Sequence, residues 1–115
     1  MNNFSKLFIL NILLIFSSVV TAQTGAIRIN QLGYYPDANK IALVVFTNAT
    51  TFEVINTLDS TVAFSGNLSA KMYWKESDDT LKRADFSALT TEGTYKIRIP
   101  GFAESYPFEI SKTVL

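Results

Sequence analysis

The stretch Asp85–Ile99 constrains the fold more than any other part of this chain. Its second half alternates apolar and basic residues, which is typical of a β-strand with one buried face. In its first half, Leu89 can fill the core and residues 90–93 turn the chain, and Gly93 can take the positive φ that such a corner often needs. Tyr95 would then bury its ring and return its hydroxyl to a backbone group upstream, as in the tyrosine corner of β-sandwiches. An ordinary loop followed by a core tyrosine is the alternative.

The rest of the chain after its N-terminal segment alternates in the same way, with turn residues about every 8 to 12 positions and no helical period. This pattern predicts an all-β, immunoglobulin-like sandwich of about seven antiparallel strands. Gly66 and Asn67 are assigned to a turn, and Val62 and Phe64 are assigned to a buried face. The predicted strand segments are Ala26–Asn30, Lys40–Phe46, Thr51–Ile55, Thr61–Ser65, Ala70–Lys75, Thr80–Phe86, Tyr95–Ile99 and Tyr106–Ile110.

The segment Lys40–Phe46 is apolar on both faces. A strand of this kind is covered on both sides. In a two-layer sandwich one face meets the core, so the other is expected to meet loops, a neighbouring chain or a neighbouring domain. This segment is the best local indication of a partner surface. One face carries Ile41, Leu43 and Val45, and the other carries Ala42, Val44 and Phe46.

The N-terminal segment Met1–Ala22 has the pattern of a secretory signal peptide, expected to be helical. Lys6 supplies the positive start, and Leu7–Val20 is an apolar run shorter than the roughly 18 to 20 residues of a spanning helix. We therefore predict cleavage before Gln23, a mature domain of residues 23–115, a secreted or periplasmic location, and no membrane association after cleavage.

Composition excludes several classes of function. The chain has no His, which removes imidazole metal ligands and His-dependent acid–base catalysis, and no Cys, which removes disulfides and thiol lipidation. Ten basic and ten acidic side chains balance without a basic patch, so a nucleic-acid partner is not expected. We predict no catalytic residues, no metal site and no cofactor.

The only carboxylate cluster is Asp78-Asp79 with Glu76 nearby. Paired carboxylates can hydrolyse glycosides when they face each other across a sugar, roughly 5 to 9.5 Å apart. Adjacent residues tend to diverge, however, and nothing apolar surrounds these. The prediction is a solvated hairpin loop.

Four aromatic residues are candidates for a sugar-stacking platform: Tyr34, Tyr35, Tyr73 and Trp74. Aromatic rings suit this role because they are large and amphipathic. The alternative is core and rim packing, which is favoured for Trp74 because a sandwich of this size usually buries its single Trp.

The segment from Ile27 to Pro36 resembles the start of the N-terminal immunoglobulin-like module of glycoside hydrolase family 9 cellulases, with its Asn-Gln-x-Gly-Tyr-x-Pro string. Lys40 before an apolar strand, Asp85-Phe86-Ser87, Gly93-Thr94-Tyr95 and Ser105–Ile110 match later landmarks in order. The resemblance implies a module that packs beside an α/α-barrel catalytic domain. The catalytic carboxylates of the family lie in that barrel, and no position here matches them.

The resemblance leaves two main hypotheses. The first is an accessory module that stabilises or positions the catalytic domain of a family 9 hydrolase, with Gln31, Tyr34 and Tyr35 near the partner surface. The second is a stand-alone carbohydrate-binding module that takes a β-glucan or a related polymer. The sequence is then a fragment, a truncated reading frame or a stand-alone copy, and a non-functional remnant is a third, weaker possibility.

Overall fold

The computed structural model describes residues 26–45, 47–76 and 78–113. Within these ranges the chain forms nine β-strands in two antiparallel sheets, which confirms the predicted all-β immunoglobulin-like sandwich. No helix in the described ranges is long and apolar enough to span a lipid bilayer. The strands are β1 (Ile27–Arg28), β2 (Ile41–Val45), β3 (Thr51–Asn56), β4 (Val62–Asn67), β5 (Met72–Trp74), β6 (Asp79–Asp85), β7 (Gly93–Ile99), β8 (Ala103–Glu104) and β9 (Phe108–Ile110).

The first sheet has the order β1-β2-β6-β5, and the second has the order β4-β3-β7 with β8 and β9 both paired to β7. Between β8 and β9, Ser105 bridges the gap in the ladder. Its backbone N–H donates to the Ile97 carbonyl oxygen (2.8 Å), and its buried hydroxyl accepts from the Ile97 N–H (2.9 Å). A side chain thus replaces a backbone group, and Ile97 keeps both its hydrogen bonds.

The core lies between the two sheets. From the first sheet it takes Ala42 and Val44 of β2, and from the second it takes alternate residues of β3 and β7. Period-two alternation explains this choice, because Phe52 and Val54 share one face of β3. Phe86 and Phe108 pack with tilted rings 5.4 Å apart and fill one end of the core.

The segment before β7 has the geometry of a tyrosine corner. The buried Tyr95 donates its hydroxyl proton to the Thr91 carbonyl oxygen at 2.8 Å, and Leu89 is buried in the core. Gly93 does not use the positive φ that is open to a glycine, and among the described glycines only Gly33 and Gly101 have one. Gly93 leaves room for the Tyr95 ring instead. A Cβ there would lie 3.1 Å from the Tyr95 hydroxyl oxygen and 3.2 Å from ring carbons.

Several local predictions are corrected by the structure. Gly66 and Asn67 belong to β4 and not to a turn, because Gly66 pairs with Phe52 and gives the Phe52 ring room where a side chain would crowd it. Val62 is exposed, since β4 pairs only with β3 at the edge of its sheet. The short strand β8 was not predicted.

The two faces of β2 are both apolar, as predicted, but only one meets the main core. Ala42 and Val44 are fully buried there. On the outer face Val45 is buried, Leu43 is half-buried and Ile41 is exposed. Phe46, predicted on the same face as Ala42 and Val44, and the predicted signal peptide lie outside the described residues.

Candidate functional surfaces

The loop between β1 and β2 is built by local hydrogen bonds. The Asn30 side-chain oxygen accepts from the Leu32 N–H at 3.0 Å, and the Gly33 N–H donates to the Asn30 carbonyl at 3.0 Å. Gly33 has a φ of 99°, which a residue with a Cβ rarely adopts. This tight turn leaves Leu32 at the tip of the loop, 72% exposed.

Tyr34 anchors this loop to the core and to the last strand. Its ring packs edge-on against Phe86 and Phe108, and its hydroxyl accepts from the Asn30 N–H at 2.9 Å. Burial raises the pKa of Tyr34, partly offset by the hydrogen bond from Asn30. Its backbone N–H donates to the Glu109 carbonyl at 2.9 Å, and its own carbonyl accepts from the Ser111 N–H at 3.0 Å. The loop therefore lies beside β9 along a parallel bridge.

Lys40 fixes the second half of the loop from inside the protein. Its side chain is fully buried, and its ammonium group donates to the carbonyl oxygens of Pro36 and Ala38, at 2.9 Å for Ala38. Burial lowers the pKa of Lys40, and the nearby carboxylates of Asp37 and Asp85 partly offset that effect. A buried cation with two carbonyl acceptors holds the loop closed against the sheet.

The first exposed surface lies where this loop meets β9. A shallow depression of about 380 Å³ is lined by Gln31, Leu32, Thr94, Pro107, Phe108 and Glu109. Gln31 is exposed in its lining, and Tyr35 is exposed next to Tyr34, the residue that bridges to Ile110 of β9. We call Gln31, Leu32, Tyr35, Pro107 and Glu109 the β9 surface.

The second surface lies on the outer face of the first sheet. Met72 and Trp74 of β5 pair with Leu81 and Asp79 of β6. Leu43, Met72, Tyr73, Trp74 and Leu81 line an apolar groove of about 340 Å³, which we call the β5 groove. The floor of this groove therefore includes Leu43, from the outer face of β2.

The predicted carboxylate cluster does not form a catalytic pair. Asp78 accepts a hydrogen bond from the Tyr73 hydroxyl at 2.6 Å, which raises the pKa of Tyr73. Asp79 begins β6 and forms an ion pair with Arg28 at 3.2 Å. Across the described ranges, no three His, Cys, Asp or Glu side chains come together as a possible metal site.

The four candidate aromatic residues are separated by the fold. Tyr34 is buried in the core, so it offers no surface to a partner, while Gln31 and Tyr35 remain exposed candidates. Tyr73 and Trp74 lie on a different sheet edge, 64% and 46% exposed. The expectation that Trp74 is a core residue is wrong, because β5 is an edge strand with its outer face uncovered by any described segment.

Comparison with known proteins identifies the family. The family model described as the cellulase N-terminal ig-like domain matches residues 22–104. The chain belongs to this family. The tyrosine corner and the β1–β2 loop lie within the matched range, whereas β9, to which Tyr34 is hydrogen-bonded, lies beyond it.

Curated relatives of this Ig-like domain are glycoside hydrolases. Endoglucanase D of Acetivibrio thermocellus is 34% identical over 88 residues, which cover 76% of this chain and 14% of the enzyme. The xyloglucan-specific endo-beta-1,4-glucanase BoGH9A of Bacteroides ovatus is 40% identical over 92 residues, which cover 78% of this chain and 15% of the enzyme. The chain thus spans about a seventh of the length of these relatives.

Solved structures agree with the sequence matches. A structure titled Bacteroides ovatus GH9 superimposes with a TM-score of 0.66 at 38% identity, over 75% of this chain and 15% of that one. A metagenome-derived glycoside hydrolase family 9 endoglucanase gives a TM-score of 0.66 at 28% identity, over 74% of this chain and 18% of that one. The chain therefore carries the N-terminal Ig-like domain found in family 9 cellulases, and the parts of these relatives that lie beyond this domain have no counterpart in the match.

Two features were missed by the sequence analysis. The first is the buried ammonium group of Lys40, because a lysine is ordinarily expected at the surface. The second is the β5 groove, although Met72 and Trp74 at positions two apart on one strand are a signal for a shared face.

Proposed function

We propose that this chain acts as a non-catalytic accessory module, which packs against the catalytic domain of a family 9 glycoside hydrolase through the β9 surface. In this role it stabilises and positions that domain. The proposed substrate class of the catalytic domain is β-glucan polysaccharide, which follows from the names of the relatives.

One observation carries the choice of surface: Tyr34 ties the β1–β2 loop to the last strand. The family description places the domain at the N-terminus, so in such enzymes the chain continues beyond β9 towards the next domain. A domain joined there by a short connection meets first the groups around β9. Leu32 and Tyr35 are apolar or aromatic groups exposed at that place, and they are held rigidly by Tyr34 and Lys40. Rigid, exposed apolar residues are the usual anchors of a protein interface.

Export belongs to the same proposal. We infer that residues 1–22 are a signal peptide and that residues 23–115 form the exported domain, in the periplasm or outside the cell. A β-glucan polymer is too large to reach an enzyme inside the cell, so an accessory module has its use outside. Mass spectrometry of the exported chain tests this proposal, with Gln23 expected as the first residue.

The test of the interface uses a hybrid enzyme. The Ig-like domain of the Bacteroides ovatus relative is replaced by the domain of this chain, and melting temperature and hydrolysis are compared with those of the relative without any Ig-like domain. We expect the hybrid to melt higher and to retain more activity. Leu32→Asp should lower the interdomain stabilisation by more than about 1 kcal/mol, because it buries a charge against the partner.

The control is Leu58→Asp, at a loop tip between β3 and β4 where the side chain is 93% exposed. This variant should leave the melting temperature and the hydrolytic activity of the hybrid unchanged. Both variants should leave the melting temperature of the isolated domain unchanged, because neither leucine belongs to the core. A Leu32→Asp hybrid that melts and hydrolyses like the unmodified hybrid contradicts the proposed surface. A hybrid with the same melting temperature and activity as the relative without any Ig-like domain contradicts the accessory role.

A further inference from the structure

The β5 groove is an aromatic surface that the proposed interface does not use. It lies on the outer face of the first sheet, whereas β9 belongs to the second sheet. Met72, Tyr73 and Trp74 are all exposed, although β5 has only three residues. Leu43 and Leu81 form the apolar floor.

The backbone at this groove is held in place by strand pairing. Pairing of Trp74 with Asp79 fixes the backbone beneath the indole. The Tyr73 hydroxyl also donates to the Asp78 carboxylate at 2.6 Å, which ties β5 to the loop that follows it. Because the strand is fixed before any ligand arrives, binding would order little beyond the indole itself.

None of the five residues that line the groove carries a charge. Near the groove, Asp79 forms an ion pair with Arg28, and the Asp78 carboxylate accepts a hydrogen bond from the neutral Tyr73 hydroxyl. An uncharged lining does not select an anion or a cation. The ligand that fits is therefore neutral, with apolar faces for the rings and hydroxyl groups that can exchange hydrogen bonds with the rim.

The groove has the volume of a small-ligand site. Five residues line about 340 Å³, and sites for small ligands have roughly 300 to 1,000 Å³. The groove lies at the edge of the sheet, so a polymer could pass over it without its end having to enter.

We propose that the β5 groove binds the pyranose faces of a neutral β-linked polysaccharide, with Trp74 as the stacking residue and Met72 beside it on the same face of β5. The site would let the Ig-like domain hold polymer near the attached enzyme. It is independent of the β9 surface, so each proposal can fail without the other.

The single Trp of the chain makes the test direct, because tryptophan fluorescence then reports only on this groove. The purified chain is titrated with cellohexaose, with a xyloglucan oligosaccharide and with anionic oligogalacturonate. We expect a saturable change in emission with a neutral β-glucan and none with oligogalacturonate. Binding is also measured by retardation in native gels that contain soluble xyloglucan or hydroxyethyl cellulose.

Variants identify the site. Trp74→Ala should weaken the gel retardation at least about tenfold, whereas Trp74→Phe keeps a ring and should stay within a few-fold of wild type. Tyr106→Ala is the matched control, since Tyr106 is 50% exposed but does not line the groove, and it should not change retardation. Circular dichroism checks that each variant is folded.

Three results would overturn the proposal. They are an emission that does not respond to either neutral oligosaccharide at millimolar concentrations, a folded Trp74→Ala variant that still binds like wild type, and an emission that depends on protein concentration instead of sugar. The last result would show that a second copy of the chain occupies the groove.

Discussion

The hydroxyl of Tyr95 can be removed without changing the core. In Tyr95→Phe the ring stays in place, and only the 2.8 Å hydrogen bond to the Thr91 carbonyl is lost. Thr91 is an exposed residue, so its carbonyl can turn to water, and the cost should stay near the net value of one hydrogen bond, about 1 kcal/mol. For a domain of 60 to 100 residues this corresponds to a fall in melting temperature of about 4–8 °C.

The assay is urea unfolding of the purified chain, followed by far-ultraviolet circular dichroism. The midpoint should fall with an unchanged slope, because the same surface is exposed on unfolding. Gly93→Ala should also destabilise, since its Cβ would lie 3.1 Å from the Tyr95 hydroxyl oxygen. The double variant should lose less free energy of unfolding than the sum of the losses of the two single variants, because the phenyl ring has no oxygen at the contact with the new Cβ. A Tyr95→Phe variant within about 0.5 kcal/mol of wild type, or fully additive losses, would refute this account of the corner.

Two further predictions concern charged groups. Lys40→Met should cost about 1–3 kcal/mol of the free energy of unfolding, because it leaves the carbonyls of Pro36 and Ala38 without their donor; urea unfolding measures this, and an unchanged midpoint would contradict it. The Asp85 carboxylate accepts hydrogen bonds from Ser87, which lower the pKa of Asp85, so its contribution to stability is present above the unfolded value near 3.9 and is lost as pH falls through the lower folded value. Asp85→Asn should therefore flatten the fall of the urea midpoint below about pH 4, and an equally steep fall in the variant would argue against this role.

The fold was predictable because its strands carry their pattern locally. Alternation on β3 and β7 identifies the buried faces, and Leu89 and Tyr95 mark the crossing between sheets. Where prediction failed, tertiary context decided. Gly66 reads as a turn residue, but in the structure it makes room for the Phe52 ring on a neighbouring strand, a contact that no local pattern contains.

The surfaces were less predictable than the fold. Exposure of Trp74 depends on β5 being an edge strand, which follows from strand order and not from composition. The burial of Lys40 depends on carbonyl groups two and four residues earlier that turn back towards its ammonium group. Tyr34 and Tyr35 are adjacent in the sequence, yet one anchors a loop and the other faces solvent, because the turn at Gly33 decides which ring enters the core.

The bridge between Tyr34 and Ile110 also governs when the domain can fold. Residues near the start of the domain hydrogen-bond to its last strand, so the closing contacts join positions far apart in the sequence. Such contacts slow folding, because the intervening chain must first be ordered. During synthesis the β1–β2 loop must wait until β9 has emerged, and the nascent polypeptide stays incompletely folded until then. For the export that we propose above, such a late closure would keep the chain unfolded while it is threaded through a translocation channel.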